Sequence, residues 1–289
     1  MTGNSLKVLD EPKLTGARMI LGFSGWMDGG EVSTGGVEHL VRALQARPLA
    51  EIEGDEYNLL SFPGSMELAS LFRPHVKIVD GVITEYNAPS GTFYYSEPTG
   101  LIVFGGREPN FRWGAYADDI FRVVDRFDVD MMIFIGSVAG LTPHTREPRL
   151  FSSVSDESVK DVLRPYRIRF TDYEGPASFI TYLMRQAQLR EVPLATLVAE
   201  IPAYVQGRNP RCIEAVLRQL AGMLNVQINL DELRDLAGQL EEQLGEIVEE
   251  KPELKERIEK LEHDYDNDVF ETEMGDLKDW LKQQGINPS

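Results

Sequence analysis

Three short segments carry the residues that could do chemistry. The first is Gly22-Phe23-Ser24-Gly25-Trp26-Met27-Asp28-Gly29-Gly30-Glu31, running on to Gly35-Gly36. A glycine-rich turn that opens a helix can hold a phosphate through its free N–H groups. This glycine spacing matches neither a P-loop nor the dinucleotide fingerprint. The turn contains no Lys or Arg, and Asp28 and Glu31 would repel an anion. The same carboxylates suit the positive end of a helix, so capping is the competing reading. Ser24 and Trp26 share the turn, and Trp26 is either a partial core residue or an exposed interface anchor. The second segment is Gly136-Ser137-Val138-Ala139-Gly140, then Leu141-Thr142-Pro143-His144-Thr145-Arg146. Ser137 is not in a nucleophile elbow, because the glycines stand at the wrong offsets. His144 could serve as an acid/base and Arg146 as an anion anchor, but a triad needs a carboxylate that sequence cannot place. Equally, the two could tie down a loop by hydrogen bonds. The third segment, Glu200-Ile201-Pro202-Ala203-Tyr204 with Asn209-Pro210-Arg211, could line the same crevice or just turn the chain. His39, His75 and His263 have no ligand partner at a credible spacing, so neither a metal nor a cofactor is expected. The single cysteine, Cys212, excludes an internal disulfide and reads as a small buried hydrophobe.

All three segments follow apolar runs that read as strands. Arg18–Phe23, Leu101–Phe104 and Met131–Ile135 are nearly all apolar, which marks strands covered on both faces. Further strands are expected at Asn58–Phe62, Val76–Ile78, Val82–Glu85, Thr92–Tyr95, Leu150–Val154, Ile168–Phe170 and Thr196–Glu200. Helical patterns fill Gly30–Gln45, Trp113–Phe127, Pro176–Leu189 and Pro210–Leu224, with Pro176 and Pro210 suited to the first turn. Strand–helix alternation implies an α/β protein with a mixed, largely parallel sheet flanked by helices. Turns at Asp80-Gly81 and Pro89-Ser90-Gly91 suggest that the stretch from Val76 to Phe104 enters that sheet as a meander. Ligands in such folds gather at the carboxyl ends of strands, where the three segments should lie.

The chain carries a net charge of −18, which argues against nucleic acid and anionic membrane surfaces as partners. From Asp231 to Ser289 there are 19 acidic and 7 basic residues, so the composition changes there. We therefore divide the chain into an α/β unit, 1–230, and an acidic helical extension, 231–289. Leu233, Leu236, Leu240, Leu244 and Ile247, then Leu254, Ile258, Leu261 and Tyr265, recur at helical spacing on either side of Lys251-Pro252. That pattern predicts a helical hairpin with one apolar seam. A last short helix would start at Thr272 and stop at Gly285, with Met274, Leu277, Trp280 and Leu281 on its apolar side. The extension could cover its own chain or pack on a neighbour. No apolar h-region follows Met1 and no run is long enough to span a bilayer, so a soluble, cytoplasmic protein is expected.

Taken together, the segments resemble a known family. Gly22–His39, with its Gly-Trp-x-Asp-x-Gly-Glu core, resembles the N-terminal signature of the proteasome-assembly-chaperone-2-like (PAC2) family. Pro143-His144-Thr145-Arg146, Glu174-Gly175-Pro176-Ala177-Ser178, Glu200-Ile201-Pro202-x-Tyr204 with Pro210, and Asn229-Leu230-Asp231-x-Leu233 are similar to its later motifs in order and spacing. The resemblance implies a phosphorylase/hydrolase-like α/β fold, homo-oligomers that in bacterial members are often trimers, and for some relatives a role in assembling the proteasome core. Some of those relatives end in a hydrophobic–Tyr–any-residue tail, whereas this sequence ends Ile286-Asn287-Pro288-Ser289.

Two functions remain open on these grounds. One is a binding or assembly protein with a protein client, displaying Ser24, Trp26, Asp28, Glu31, His144, Arg146 and Tyr204 around the strand ends. The other is a small-molecule enzyme of the phosphorylase or hydrolase type using loops 22–31 and 136–146. Convergence of Asp28 and His144 in a deep crevice would favour the enzyme. An apolar surface around Trp26 would favour the assembly protein.

Overall fold

The computed structural model describes residues 5–166 and 168–283. In chain order the strands are β1 (Leu6–Val8), β2 (Ala17–Ser24), β3 (Arg47–Glu53), β4 (His75–Val79), β5 (Val82–Asn87), β6 (Ser90–Ser96), β7 (Leu101–Arg107), β8 (Val129–Gly140), β9 (Leu150–Ser152), β10 (Arg169–Phe170) and β11 (Leu194–Pro202). The helices are α1 (Val32–Ala43), α2 (Met66–Ser70), α3 (Trp113–Arg126), α4 (Glu157–Leu163), α5 (Phe179–Leu189), α6 (Pro210–Leu224), α7 (Asp231–Glu249) and α8 (Pro252–Gln283).

Nine strands form one sheet in the order β1-β3-β6-β7-β2-β8-β11-β9-β10. The central run β7-β2-β8-β11 is parallel throughout. It is flanked by the antiparallel β6 and β3 on one side and β9 on the other. The sheet is therefore mixed, with its parallel part in the middle. The apolar runs explain this placement. Along β2, Met19, Leu21 and Phe23 join the core under α3 and α5, while Ile20 joins the core under α1 and α6. A strand buried on both faces belongs where helices cover both sides of the sheet, which here is its middle. The first core is aromatic, with Phe23 within 5.3 Å of Phe104 and 5.4 Å of Phe179, ring centre to ring centre. On the opposite face α1 packs so close that a Cβ on Gly22 would meet the Val37 side chain at 2.4 Å. That contact requires glycine at the end of this strand.

Several elements differ from the sequence expectation. Asn58–Phe62 is not a strand. Tyr57 turns into the core, where its hydroxyl donates to Asp119 Oδ2 at 2.8 Å, and the chain then leaves the domain surface. The real strand is β3, whose exposed Arg47, Pro48 and Glu53 disguise an alternation that buries Ala50 and Ile52, with Leu49 buried at the bulge after Pro48. β4 and β5 form their own two-stranded sheet outside the nine, so the meander does not enter the main sheet as drawn. α5 begins after Pro176: Ser178 is its N-cap, accepting from Thr181 N–H at 3.2 Å. Pro210 does open α6, with Asn209 as the cap. The helix expected from Thr272 is the far end of α8. Its stop at Gly285 lies outside the described residues, as do the side chains of Leu277, Trp280 and Leu281.

Among the described residues no helix is long and apolar enough to cross a membrane.

Candidate functional site

The four parallel strands end together, at Ser24, Arg107, Gly140 and Pro202, paired Ser24 with Arg107 and Gly140 with Pro202. The three chemistry-bearing segments thus leave the sheet along one edge. They are stitched to one another. Ser137 N–H donates to Met27 O at 2.9 Å, and Asn209 N–H donates to Gly30 O at 2.8 Å. Ala203 N–H donates to Gly140 O at 3.2 Å.

Asp28 caps α1. Its Oδ1 accepts from the N–H groups of Ser33 and Thr34 at 2.9 and 3.0 Å, and its Oδ2 accepts from Thr34 Oγ1 at 2.8 Å. Burial pushes its carboxyl above the ordinary value, against the three donors that pull the other way. Glu31 does not cap. It is the residue before α1 in a left-handed conformation, φ 54°, and its side chain reaches Arg208 at 3.7 Å. Ser24 and Trp26 stand at the start of the turn. Trp26 N–H donates to Glu108 Oε2 at 2.8 Å, yet its side chain is 70% exposed, which settles it as a surface residue. Ser137 is buried, and its hydroxyl donates to Gly29 O at 2.5 Å. It is held as a structural donor, not poised as a nucleophile.

His144 is buried against Tyr204, edge to face, with ring centres 5.8 Å apart. The Tyr204 hydroxyl accepts from His144 N–H at 2.8 Å and sits 2.8 Å from Nδ1. The imidazole tautomer sets which of the two donates in this second contact. Burial lowers the imidazole below its usual value and raises the phenol. Arg146 turns away from this pair. It forms a two-pronged bond to Asp266 of α8, both arms 2.8 Å, and lies 3.5 Å from Glu262. Thr145 Oγ1 donates to Glu262 as well. The loop is further fixed by Glu200, which accepts from Leu141 N–H at 2.9 Å and Thr142 Oγ1 at 2.5 Å and pairs with Arg149 at 3.2 Å.

The seven candidates therefore share a sheet edge but divide among three surroundings. Asp28 and Glu31 shape the start of α1. His144, Tyr204 and Arg146 hold the loop beneath α8. Ser24 and Trp26 line a groove of about 410 Å³ with Arg107, Glu108, Trp113 and Ser178, and neither Asp28 nor His144 lines it. Sequence reasoning passed over Arg107, Glu108 and Arg149. The signal for the first two was available, since Gly105-Gly106-Arg107-Glu108 follows a central apolar strand just as the singled-out segments do. Among the described residues no group of three or more metal-ligating side chains comes together.

Comparison with known proteins agrees with this geometry. The PAC2 family profile matches residues 22–248, which takes in the turn after β2, the His144 loop and α7. The chain belongs to the PAC2 family. The crystal structure of the proteasome-assembly chaperone homologue Rv2125 of Mycobacterium tuberculosis is similar at 28% identity and a TM-score of 0.72, covering 83% of this chain and 99% of that one. A PAC2 family protein from Streptomyces avermitilis MA is similar at 26% identity and a TM-score of 0.71, with the same coverage of 83% and 99%. The uncharacterized protein MJ1210 of Methanocaldococcus jannaschii is 25% identical over 254 residues, 86% of this chain and 89% of its own length.

Proposed function

We propose that this PAC2 protein is a cytoplasmic, homo-oligomeric binding protein that holds a protein client in the manner of an assembly chaperone. Residues 1–230 act as the platform and 231–289 as an acidic strap over one end of it. One observation carries this reading. The groups that a hydrolase or phosphorylase would need are spent inside the structure, Asp28 on the α1 N-terminus and His144 on Tyr204, while Trp26 stands exposed at the same edge. Exposed aromatics at rigid strand ends are suited to anchoring another protein. The similarity to Rv2125, a proteasome-assembly chaperone homologue, supports the chaperone-like part. In this reading Trp26 and Ser24 contact the client, Asp28 and Glu31 set the turn that displays them, and His144, Arg146 and Tyr204 hold the neighbouring loop.

The test is affinity capture from native lysate with the wild-type chain and with Trp26→Ala. The wild type should recover a protein client in near-stoichiometric amount, and the variant should lose it while its own mass in solution is unchanged. Equal capture by both would overturn the reading.

A second reading, a small-molecule enzyme, is favoured by one feature. Arg107 is half-buried in the Trp26 groove, and among the described residues no hydrogen bond or ion pair engages its side chain. An anionic metabolite would fit it. Native mass spectrometry that found such a compound, retained by the wild type and lost in Arg107→Ala, would select this reading.

A further inference from the structure

Residues 62–87 leave the domain as an excursion with a closed neck. Gly54 lies so near Pro89 that a Cβ there would come within 2.0 Å of the Pro89 carbonyl oxygen. Beyond the neck the chain forms α2 and then the β4–β5 hairpin. The hairpin is well encoded. Asp80 and Gly81 both take positive φ, 48° and 79°, as a tight two-residue turn between strands of right-handed twist requires. Across the strands Val76 faces Tyr86, Ile78 faces Ile83 and Val79 faces Val82, while Lys77 faces Glu85 and pairs with it at 3.0 Å. These are the pairings of a packed sheet, yet every residue of both strands is exposed.

A two-stranded hairpin is marginal in water by itself and needs a third strand or a packed face. Here neither face is covered. Met66, Leu71, Ile78, Val82, Ile83 and Tyr86 are each more than half exposed. Summed over α2 and both faces of the hairpin, with Val82 on the face opposite Ile78 and Ile83, they leave on the order of 700 Å² in water, near the about 800 Å² that each partner gives a standard interface.

We propose that this arm is where a second copy of the same chain packs. The inference rests on the homo-oligomeric part of the function proposed above. Charge points to the occupant. The chain as a whole carries −18, whereas residues 62–87 contain Arg73 and Lys77 against Glu67, Asp80 and Glu85, a net of −1. Two strongly acidic copies repel over most of their surfaces and meet with least repulsion through this stretch. Permanence points the same way. A client that comes and goes leaves the apolar arm bare between encounters, with two free strand edges open to unwanted pairing. A second copy is present from synthesis onward and covers the arm continuously. The sparse basic charge gives neither a nucleic acid nor an anionic bilayer a foothold.

The test reads the mass in solution of the full chain by light scattering, for the wild type and for Ile78→Lys/Ile83→Glu. The wild type should be an oligomer across micromolar concentrations, and the variant should shift to the monomer mass with its circular dichroism unchanged. A wild-type monomer, or a variant that keeps the oligomer mass, overturns the proposal. Should the variant fail to fold, hydrogen exchange on the wild type decides. Amides of 75–87 should be protected in the oligomer and lose protection on dilution. Exchange at free-hairpin rates within an intact oligomer overturns the proposal. Loss of the arm interface with client capture intact, or the reverse, separates this inference from the binding function on which it rests.

Discussion

Replacing Arg149 by Met should destabilise the protein far more than any other single change in the charged contacts of α8. Arg149 and Glu200 are both 14% exposed at the side chain and pair at 3.2 Å. The other guanidinium arm reaches Asp268 of α8 at 3.0 Å, and the group lies over the Tyr265 ring, 4.3 Å from its centre. Breaking a buried pair by removing one partner costs roughly 3–5 kcal/mol. The figure is smaller here, about 2 kcal/mol, because Glu200 keeps Leu141 N–H and Thr142 Oγ1 as donors. The lost stacking adds about 0.5–1 kcal/mol, and the half-exposed Asp268 pair adds a few tenths. Met retains most of the apolar stem, so packing contributes little. The expected loss is about 3 kcal/mol, or a fall in Tm of about 6–12 °C for a chain of this size. Differential scanning calorimetry at neutral pH measures it. The pH dependence offers a check. Hydrogen bonding to Arg169 holds the Asp268 carboxyl below its ordinary 3.8, so its contribution is complete above that value and is lost as pH falls through the depressed one. Arg149 adds to this depression after Arg169, which the variant keeps, so the gap between wild type and variant should narrow by only a few tenths of a kcal/mol as pH falls through the depressed value and hold steady from there to neutrality. A Tm within 1–2 °C of the wild type would refute the reasoning, because the network would then be decoration on a loop fixed by its backbone bonds.

Three further outcomes follow from the site. Asp28→Asn keeps an acceptor for the Ser33 and Thr34 N–H groups and presents an amide donor to Thr34 Oγ1. Burial has raised the Asp28 pKa, so its contribution to stability declines as pH rises; the neutral amide should melt at or above the wild-type temperature at pH 7, whereas Asp28→Ala should lose about 1–2 kcal/mol with the cap. Equal destabilisation by both would count against the capping role. Tyr204→Phe strips the acceptor from the buried His144 N–H and should cost about 1–3 kcal/mol in urea unfolding, with no change in slope. Cys212 is buried on α6 with its thiol pushed up to about 12, so a thiol reagent should label it only as fast as the protein unfolds. Rapid labelling of the native protein would place Cys212 at the surface.

The central strands and α6 were legible because burial leaves a local mark: a strand covered on both faces must be apolar at consecutive positions, and Asn209-Pro210 announces a helix start. The carboxyl-edge location of the three segments followed from those strands alone. β3 was not legible, because a strand near the sheet margin that also bulges at Pro48 keeps its charge on one face and hides its period. The hairpin was legible as a hairpin but not as an outlier. Its alternation is what a sheet strand would carry, and only the neck at Gly54 and Pro89 diverts it from the sheet. Within the candidate site, Ser137 and His144 were identifiable by type, but their uses were not. Whether a buried hydroxyl is a nucleophile or a donor to Gly29 O depends on a contact 108 residues away.

The acidic C-terminal helices make the same point about charge. Read locally, the excess of carboxylates on α8 is a solvated face. In the fold, Glu262, Asp266 and Asp268 meet Arg146, Arg149 and Arg169, three cations from the strand-end loop and β10. Tyr265 adds a hydroxyl bond to Glu147 O at 2.8 Å. The composition shift at Asp231 thus has an intramolecular purpose along this stretch of α8, since the platform presents arginines where the strap presents carboxylates. That complementarity fixes the register of a long helix which has few apolar anchors, Ile258 being its one fully buried large apolar side chain among the described residues. An apolar seam alone tolerates sliding by a turn, whereas a two-pronged Arg146–Asp266 bond does not. The loop bearing His144 is consequently held from both sides, by Glu200 beneath and α8 above. The Trp26 turn is tied separately, by its N–H to Glu108 Oε2 at 2.8 Å, and in the proposed client-binding role that fixed turn keeps the entropic cost of contact low.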